Sequence, residues 1–214
     1  MITLLFATRS TGKQREIREM LQDPRLRVVF PDEIGLEERT EESVIEDAET
    51  FEGNAFRKAQ YFARRSGLPT AADDSGIEVF SLGGAPGVHS RRFAPETPGQ
   101  DQDAANNALL LQRLRGAPTE RRRARYRCVI SWLPRIEASP TSFEGSCNGM
   151  ILETVKGSGG FGYDPLFLSD DIGKTFGEAT PDEKHAISHR GRAIQAFAAW
   201  IEKDFLLKAR PTGA

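Results

Sequence analysis

The chain has no apolar run as long as the roughly 18 to 20 residues that a membrane span needs, so no membrane association is expected. It has only two cysteines, Cys128 and Cys147. They show no metal-ligand spacing and are too few for a disulfide framework, so both read as reduced core residues. An excess of one charge is also missing. The 29 Lys and Arg residues against 31 Asp and Glu residues leave a net charge of −2, which removes any global electrostatic case for nucleic acid. The apolar opening, Met1 to Phe6, lacks a basic lead-in and a cleavage site, so it reads as a first strand and not a signal peptide. A cytoplasmic address is the expectation that fits. Internal repeats, low-complexity tracts and a clean interdomain linker are absent, and 214 residues suffice for one large domain or two small lobes around one core.

What is present is a succession of short β-branched runs and amphipathic helices. Ile2 to Ala7 reads as a buried strand, and Thr8-Arg9-Ser10-Thr11-Gly12-Lys13 follows it directly, before a helix with Ile17, Met20 and Leu21 at helical spacing. A strand, a hydroxyl- and glycine-bearing turn and a helix start with a lysine can hold a phosphate on helix N-terminal amides and a basic side chain. The stretch is not a P-loop, because Ala7 stands where that motif needs glycine. Ser10 or Thr11 as a simple helix cap is the plainer alternative. Residues 31 to 50 are acidic and loop-like and read as a solvated face. From Thr50 a helix is expected, with an apolar stripe of Phe51, Ala55, Phe56, Ala59, Phe62 and Ala63 and with Lys58 on another face, ending at Gly67-Leu68-Pro69.

The stretch from Ala71 to Gly87 carries the densest chemistry. Asp73 and Asp74 stand side by side at the expected end of a strand, and two adjacent carboxylates need a cation or hydrogen-bond donors to stay ionised. A hard divalent ion such as Mg2+ meets that need. Ser75 adds a hydroxyl, and Gly76 lets a ligand approach the backbone. A polar turn between two strands remains the alternative.

Further on, residues 95 to 103 read as a loop and Ala104 to Leu114 as a helix with Ala105, Ala108, Leu109, Leu111 and Leu114 inward. Arg121 to Trp132 and Ser142 to Thr154 read as strands, the arginines of the first forming a solvated face more readily than a nucleic-acid patch. Glycines around Phe161 and Tyr163, in Gly157 to Pro165, suit a flat ligand, or an aromatic-stapled turn. Lys184, His189 and Arg190 cluster near Ser188, the expected cap of a helix from about Arg190 to Phe205, as donors for an anion or a carbonyl. Residues 208–214 read as a disordered tail. The fold class expected is α/β, a mixed sheet in two lobes with a cleft.

In this order, FATRSTGKQREI, FEGNAFRKA, ADDSGIEVFSLGGAPGVHSRRFA, GFGYDPLF, GKTFGE and EKHAISHRGRA resemble the motifs of the inosine triphosphate pyrophosphatases, over residues 3 to 200. The resemblance implies an elongated mixed sheet, a single two-lobed domain over residues 1–207, a central active-site cleft and a homodimer. It also implies Mg2+-dependent hydrolysis of dITP, ITP and XTP between the α and β phosphates. By motif position, Thr8, Arg9, Ser10, Thr11, Gly12 and Lys13 hold the triphosphate. Asp74 is general base and metal ligand, with Asp73 and Glu52 as further metal candidates, and Ser75 touches substrate. Phe161, Gly162, Tyr163 and Asp164 hold base and sugar, and Lys184, His189 and Arg190 read the base.

Two positions depart from the family pattern. Gly53 stands where the family carries a metal-binding Glu, and Ser10 replaces an Asn. The first keeps a second reading open, a purine-nucleotide-binding protein with impaired catalysis, and leads to the expectation that Gly53→Glu raises Mg2+ affinity. The related Maf-type pyrophosphatases fit less well, because of the SHRGRA and GFGYDP motifs.

Overall fold

The computed structural model describes residues 1–206; the expected tail, 208–214, lies outside the described residues. Six strands form one mixed sheet in the order β2-β1-β3-β4-β5-β6. These are β1 Ile2–Phe6, β2 Leu26–Val29, β3 Thr70–Val79, β4 Arg123–Leu133, β5 Thr141–Ile151 and β6 Phe167–Ser169. β1 lies parallel to both β2 and β3, while β5 and β6 are antiparallel. The helices are α1 Thr11–Met20, α2 Phe51–Ser66, α3 Gln102–Arg113, α4 Pro181–Ile187 and α5 His189–Trp200, the last followed by a π-helical turn, Ile201–Leu206. The class is the α/β class expected. Among the described residues no helix is long and apolar enough to cross a membrane.

The chain gathers into two compact units. Among the described residues the first comprises Met1–Asp74, Val129–Gly145 and 191–206. Its core joins Leu5 and Ala7 of the first strand to Ala59, Phe62 and Ala63 of α2, with Val29, Ala72 and Leu133 between them. The α2 stripe therefore packs as its 3.6-residue spacing requires. The helix starts where the Thr50 hydroxyl accepts from the Gly53 N–H at 3.1 Å and stops at Gly67, whose φ of 67° ends it in the left-handed conformation.

The second unit comprises Ser75–Cys128 and Ser146–Arg190. Ile77, Leu110, Leu114, Tyr126, Tyr163, Phe167 and Phe176 are in its core. Cys128 and Cys147 are buried and unbridged, as their number suggested. Helix α3 departs from the expected stripe. It exposes Ala108 and buries Asn106 beside Leu110 and Leu114. Asn106 tolerates this because its amide accepts from the Ala94 N–H at 2.8 Å and donates to the Arg91 carbonyl at 2.9 Å.

Another correction concerns the paired aspartates. They sit within β3, not at its end, and the strand continues to Val79. Three arginines of the run before and along β4 are engaged within the chain. Arg123 pairs with Asp170 at 2.6 Å and Arg125 with Glu78 at 2.5 Å. Arg122 is buried and donates to the carbonyls of Leu114, Ile151 and Leu152 at 3.0, 2.7 and 2.7 Å. It thereby ties the end of α3 to the segment leading into the glycine-rich loop. Arg122→Leu strips donors from three carbonyls and is expected to cost about 2–4 kcal/mol, read as a lowered midpoint in urea unfolding. An unchanged midpoint would show that the carbonyls find water instead.

Candidate functional site

In the first unit, the charged residues converge on Asp73 and Asp74. Asp73 is fully buried and receives Lys13, from the first turn of α1, at 2.9 Å. Asp74 is nearly buried and accepts from the Asn54 amide at 3.0 Å. Asn54 is wholly buried on α2, and its oxygen accepts from the Ala48 N–H at 2.8 Å, so one side chain holds both the carboxylate and the acidic loop. Lys58 lies one helical turn beyond Asn54 on the same face and pairs with Glu46. Burial raises the Asp74 carboxyl above its ordinary value, Lys58 and Lys13 pull it back, and Glu46 adds to the rise. At Glu46 burial acts the same way, but Lys58 and Lys13 outweigh it and the carboxyl titrates below its ordinary value. Lys58 stays protonated above its ordinary value despite its own burial, through Glu46, Asp73 and Asp74.

Glu46, Asn54 and Lys58 were not singled out in the sequence. Glu46 was hidden in a run that reads as solvated. The signal for the other two was a polar residue at 54 inside the buried face of α2, with a lysine four residues on. Among the described residues no three His, Cys, Asp or Glu side chains gather as a ready metal cage. Magnesium-like ions, however, sit on one or two carboxylates and complete their shell with water and phosphate oxygens. Asp74 and Glu46, hard oxygen donors whose charges act on each other, fit such an ion.

Gly53 acquires a different meaning. A Cβ there would meet the Ala48 Cβ at 2.8 Å and the Thr50 hydroxyl at 3.1 Å. The glycine is where the acidic loop packs onto α2, so a side chain at 53 displaces the loop that carries Glu46. On this packing Gly53→Glu is expected to lower Mg2+ affinity, not to raise it as the motif alone suggests.

The turn after β1 is partly as expected. Thr8 is buried and its hydroxyl accepts from the Ser10 N–H at 3.3 Å. Ser10 occupies the N-cap of α1 but makes no side-chain cap bond, so the plain capping reading does not hold for it. Thr11, Gly12 and Lys13 form the first turn, the position where backbone amides point out of a helix. The Arg9 guanidinium is engaged by Glu42 at 2.7 and 3.0 Å, by the Leu36 carbonyl at 2.8 Å and by Asp32, so its side chain ties the turn to the acidic segment.

The second unit brings together the other expected residues. Arg190 donates to the Ser75 hydroxyl at 3.0 Å and lies over the Phe161 ring at 5.6 Å. Lys184 lies over the same ring at 4.8 Å and pairs with buried Asp164 at 2.8 Å. Asp164 also accepts from the Phe161 N–H at 2.9 Å. At Gly160, with φ of 73°, a Cβ would run into that carboxylate. His189 stacks on Tyr126 with ring centres 4.5 Å apart, and burial followed by Asp164 holds the Tyr126 phenol well above its ordinary value. Gly162 donates its N–H to Asp103 at 2.7 Å and gives its carbonyl to Asn107 at 3.0 Å. Tyr163 is core, its hydroxyl donating to the Ser90 carbonyl at 2.8 Å. Gly76 is also corrected. The group that approaches its backbone is the chain's own Gly87 carbonyl and Ser90, not a ligand.

The chain matches the model of the Ham1 family over residues 4–200. It is 45% identical over 203 residues to the dITP/XTP pyrophosphatase of Lactobacillus johnsonii, covering 93% of this chain and 94% of that one. It is 42% identical over 196 residues to the enzyme of that name from Salmonella typhimurium, covering 91% and 95%. Among solved structures it resembles a HAM1 protein from Coxiella burnetii, with a TM-score of 0.83 and 32% identity over 94% of this chain and 99% of that one. It also resembles a nucleoside-triphosphatase / dITP/XTP pyrophosphatase from Mycobacterium abscessus, with a TM-score of 0.71 and 36% identity over 92% and 98%.

Gly53→Ala tests the packing reading. Helix propensity favours alanine by about 1 kcal/mol, while overpacking costs about 1–3 kcal/mol. The expected result is weaker affinity for the divalent cation, seen as a higher half-saturating Mg2+ concentration, with little net change in stability. An unchanged cation requirement would remove Gly53 from this account.

Proposed function

The chain belongs to the Ham1 family, and from that premise we propose that it hydrolyses the noncanonical purine nucleoside triphosphates dITP, ITP and XTP to the monophosphate and pyrophosphate. The observation that carries the mechanism is the set of buried Asp73 and Asp74 with half-buried Glu46, interleaved with Lys13 and Lys58. Such a set suits a phosphate chain, whose hydrolysis needs charge neutralisation and positioning more than covalent chemistry.

In this reading, Thr8, Ser10, Thr11 and Gly12 offer hydroxyls and helix-start amides to phosphate oxygens, and Lys13 adds a positive charge. Asp74 and Glu46 would hold a divalent cation, Mg2+ by the chemistry of the donors, which would supply charge neutralisation for the phosphate oxygens. Asp74, oriented by Asn54, takes the proton from water. The water oxygen forms its bond to phosphorus, the bridge between the α and β phosphates breaks, and the electron pair leaves with pyrophosphate.

Phe161 offers a face for the purine, and Lys184, His189 and Arg190 supply donors suited to a 6-keto oxygen. Adenine presents an amino group there and leaves such donors without acceptors, a mismatch that discriminates strongly. The impaired-binder alternative loses its motive, because Glu46 provides a carboxylate and Gly53 serves the packing of the acidic loop. A cytoplasmic homodimer completes the reading, on the strength of the family resemblance alone.

Pyrophosphate release from dITP, ITP and XTP, with little from ATP, is the expected outcome of a substrate panel. Asp74→Asn is expected to lower kcat at least about 100-fold, the usual weight of a general base, while the folded state persists by circular dichroism. Turnover at the wild-type rate would remove Asp74 from that role.

A further inference from the structure

The acidic loop is not held by Lys58 and Asn54 alone. Glu42 lies in the 3-10 turn Thr40–Val44, four residues before Glu46. It is shared by two arginines from different elements. Arg9, in the turn after β1, grips it through two bonds at 2.7 and 3.0 Å, and Arg65, in the last turn of α2, donates to it at 2.6 Å. The side chains of Glu42, Arg9 and Arg65 are largely buried, at 10%, 18% and 12% exposure. The same arginines take the carbonyls of Leu36 and Glu37, at 2.8 and 2.9 Å. Arg9 lies over the Phe62 ring and Arg65 over Tyr61, at 5.8 and 5.4 Å.

The stretch is therefore fixed at Glu42 on one side and, through Ala48 and Asn54, on the other, with Glu46 between. Two-pronged arginine–carboxylate pairs of this kind set geometry as well as energy. We propose that Glu42, clasped by Arg9 and Arg65, is a positioning residue that holds the segment carrying Glu46 in place on α2, beside Lys58, and so sets the affinity for the divalent cation. The inference rests on the cation-holding role given above to Asp74 and Glu46. In a flexible tether the Glu46 carboxylate would have to be ordered each time a cation bound; the clasp orders it beforehand.

The test is Mn2+ binding, followed by electron paramagnetic resonance on the full chain holding a non-cleavable α,β-methylene analogue of inosine triphosphate, in wild type and Glu42→Gln. Glutamine keeps the shape and removes the charge. The expected result is Mn2+ affinity weakened by about 10-fold, the scale of outer ligand-supporting contacts, with half-saturating Mg2+ for turnover rising in step and kcat at saturating Mg2+ within about twofold of wild type. Arg65→Gln leaves the two Arg9 bonds in place and is expected to shift cation affinity in the same direction but less. A lowered unfolding temperature with unchanged Mn2+ affinity in both variants would overturn the inference and leave the function standing. Absence of Mn2+ binding by the wild type would overturn the cation reading and the inference together.

Discussion

The contact on which the candidate site depends is the bond from the Asn54 amide to Asp74, because the other end of the same amide holds the acidic loop at Ala48. A carboxylate as buried as Asp74 is costly to charge. Lys58 and Lys13 lower that cost, yet the carboxyl still sits above its ordinary value. Charge at Asp74 is thus only partly compensated by the protein, the condition under which a cation and a proton-bearing water are both attracted. Replacing Asn54 by an apolar residue would release Asp74 and the loop together, so the role cannot be divided between two simpler side chains.

The same economy applies along α2. Its inner face carries Ala55, Ala59 and Phe62 into the core, while Asn54 and Lys58, one turn apart, reach the aspartates and Glu46. The helix that packs the first unit also places its charges. In the second unit the comparable anchor is Asp164, which joins Lys184, the Phe161 backbone and Tyr126 and so fixes the aromatic and cationic groups relative to each other.

Much of the fold could be read from apolar spacing. The β1–turn–α1 unit, the α2 stripe and the strands at 123–133 and 141–151 follow period and punctuation. The misses share one cause: polar residues satisfied by tertiary partners. Asn106 took a core position in α3 because the Arg91–Ala94 backbone was there to bond it. Asp73 and Asp74 could stay within a strand because Lys13 and Asn54 meet them. The Arg9 guanidinium is taken up by Glu42 and Asp32, some 30 residues away in sequence, partners that no local pattern shows. Glu46 was indistinguishable from its acidic neighbours until Lys58 singled it out. At Gly53 the sequence showed a carboxylate missing from a motif; the structure shows what the missing side chain makes room for.

On the function proposed here Glu46 is the second carboxylate working with Asp74, and Glu52, in the first turn of α2, is its rival for that place. The direct measurement is pyrophosphate release from ITP across a Mg2+ titration for Glu46→Gln and Glu52→Gln beside the wild type. The account predicts that Glu46→Gln raises the half-saturating Mg2+ concentration by about 10-fold or more, the scale on which cation sites respond to lost support, while Glu52→Gln behaves as wild type. A shift confined to Glu52→Gln would contradict it.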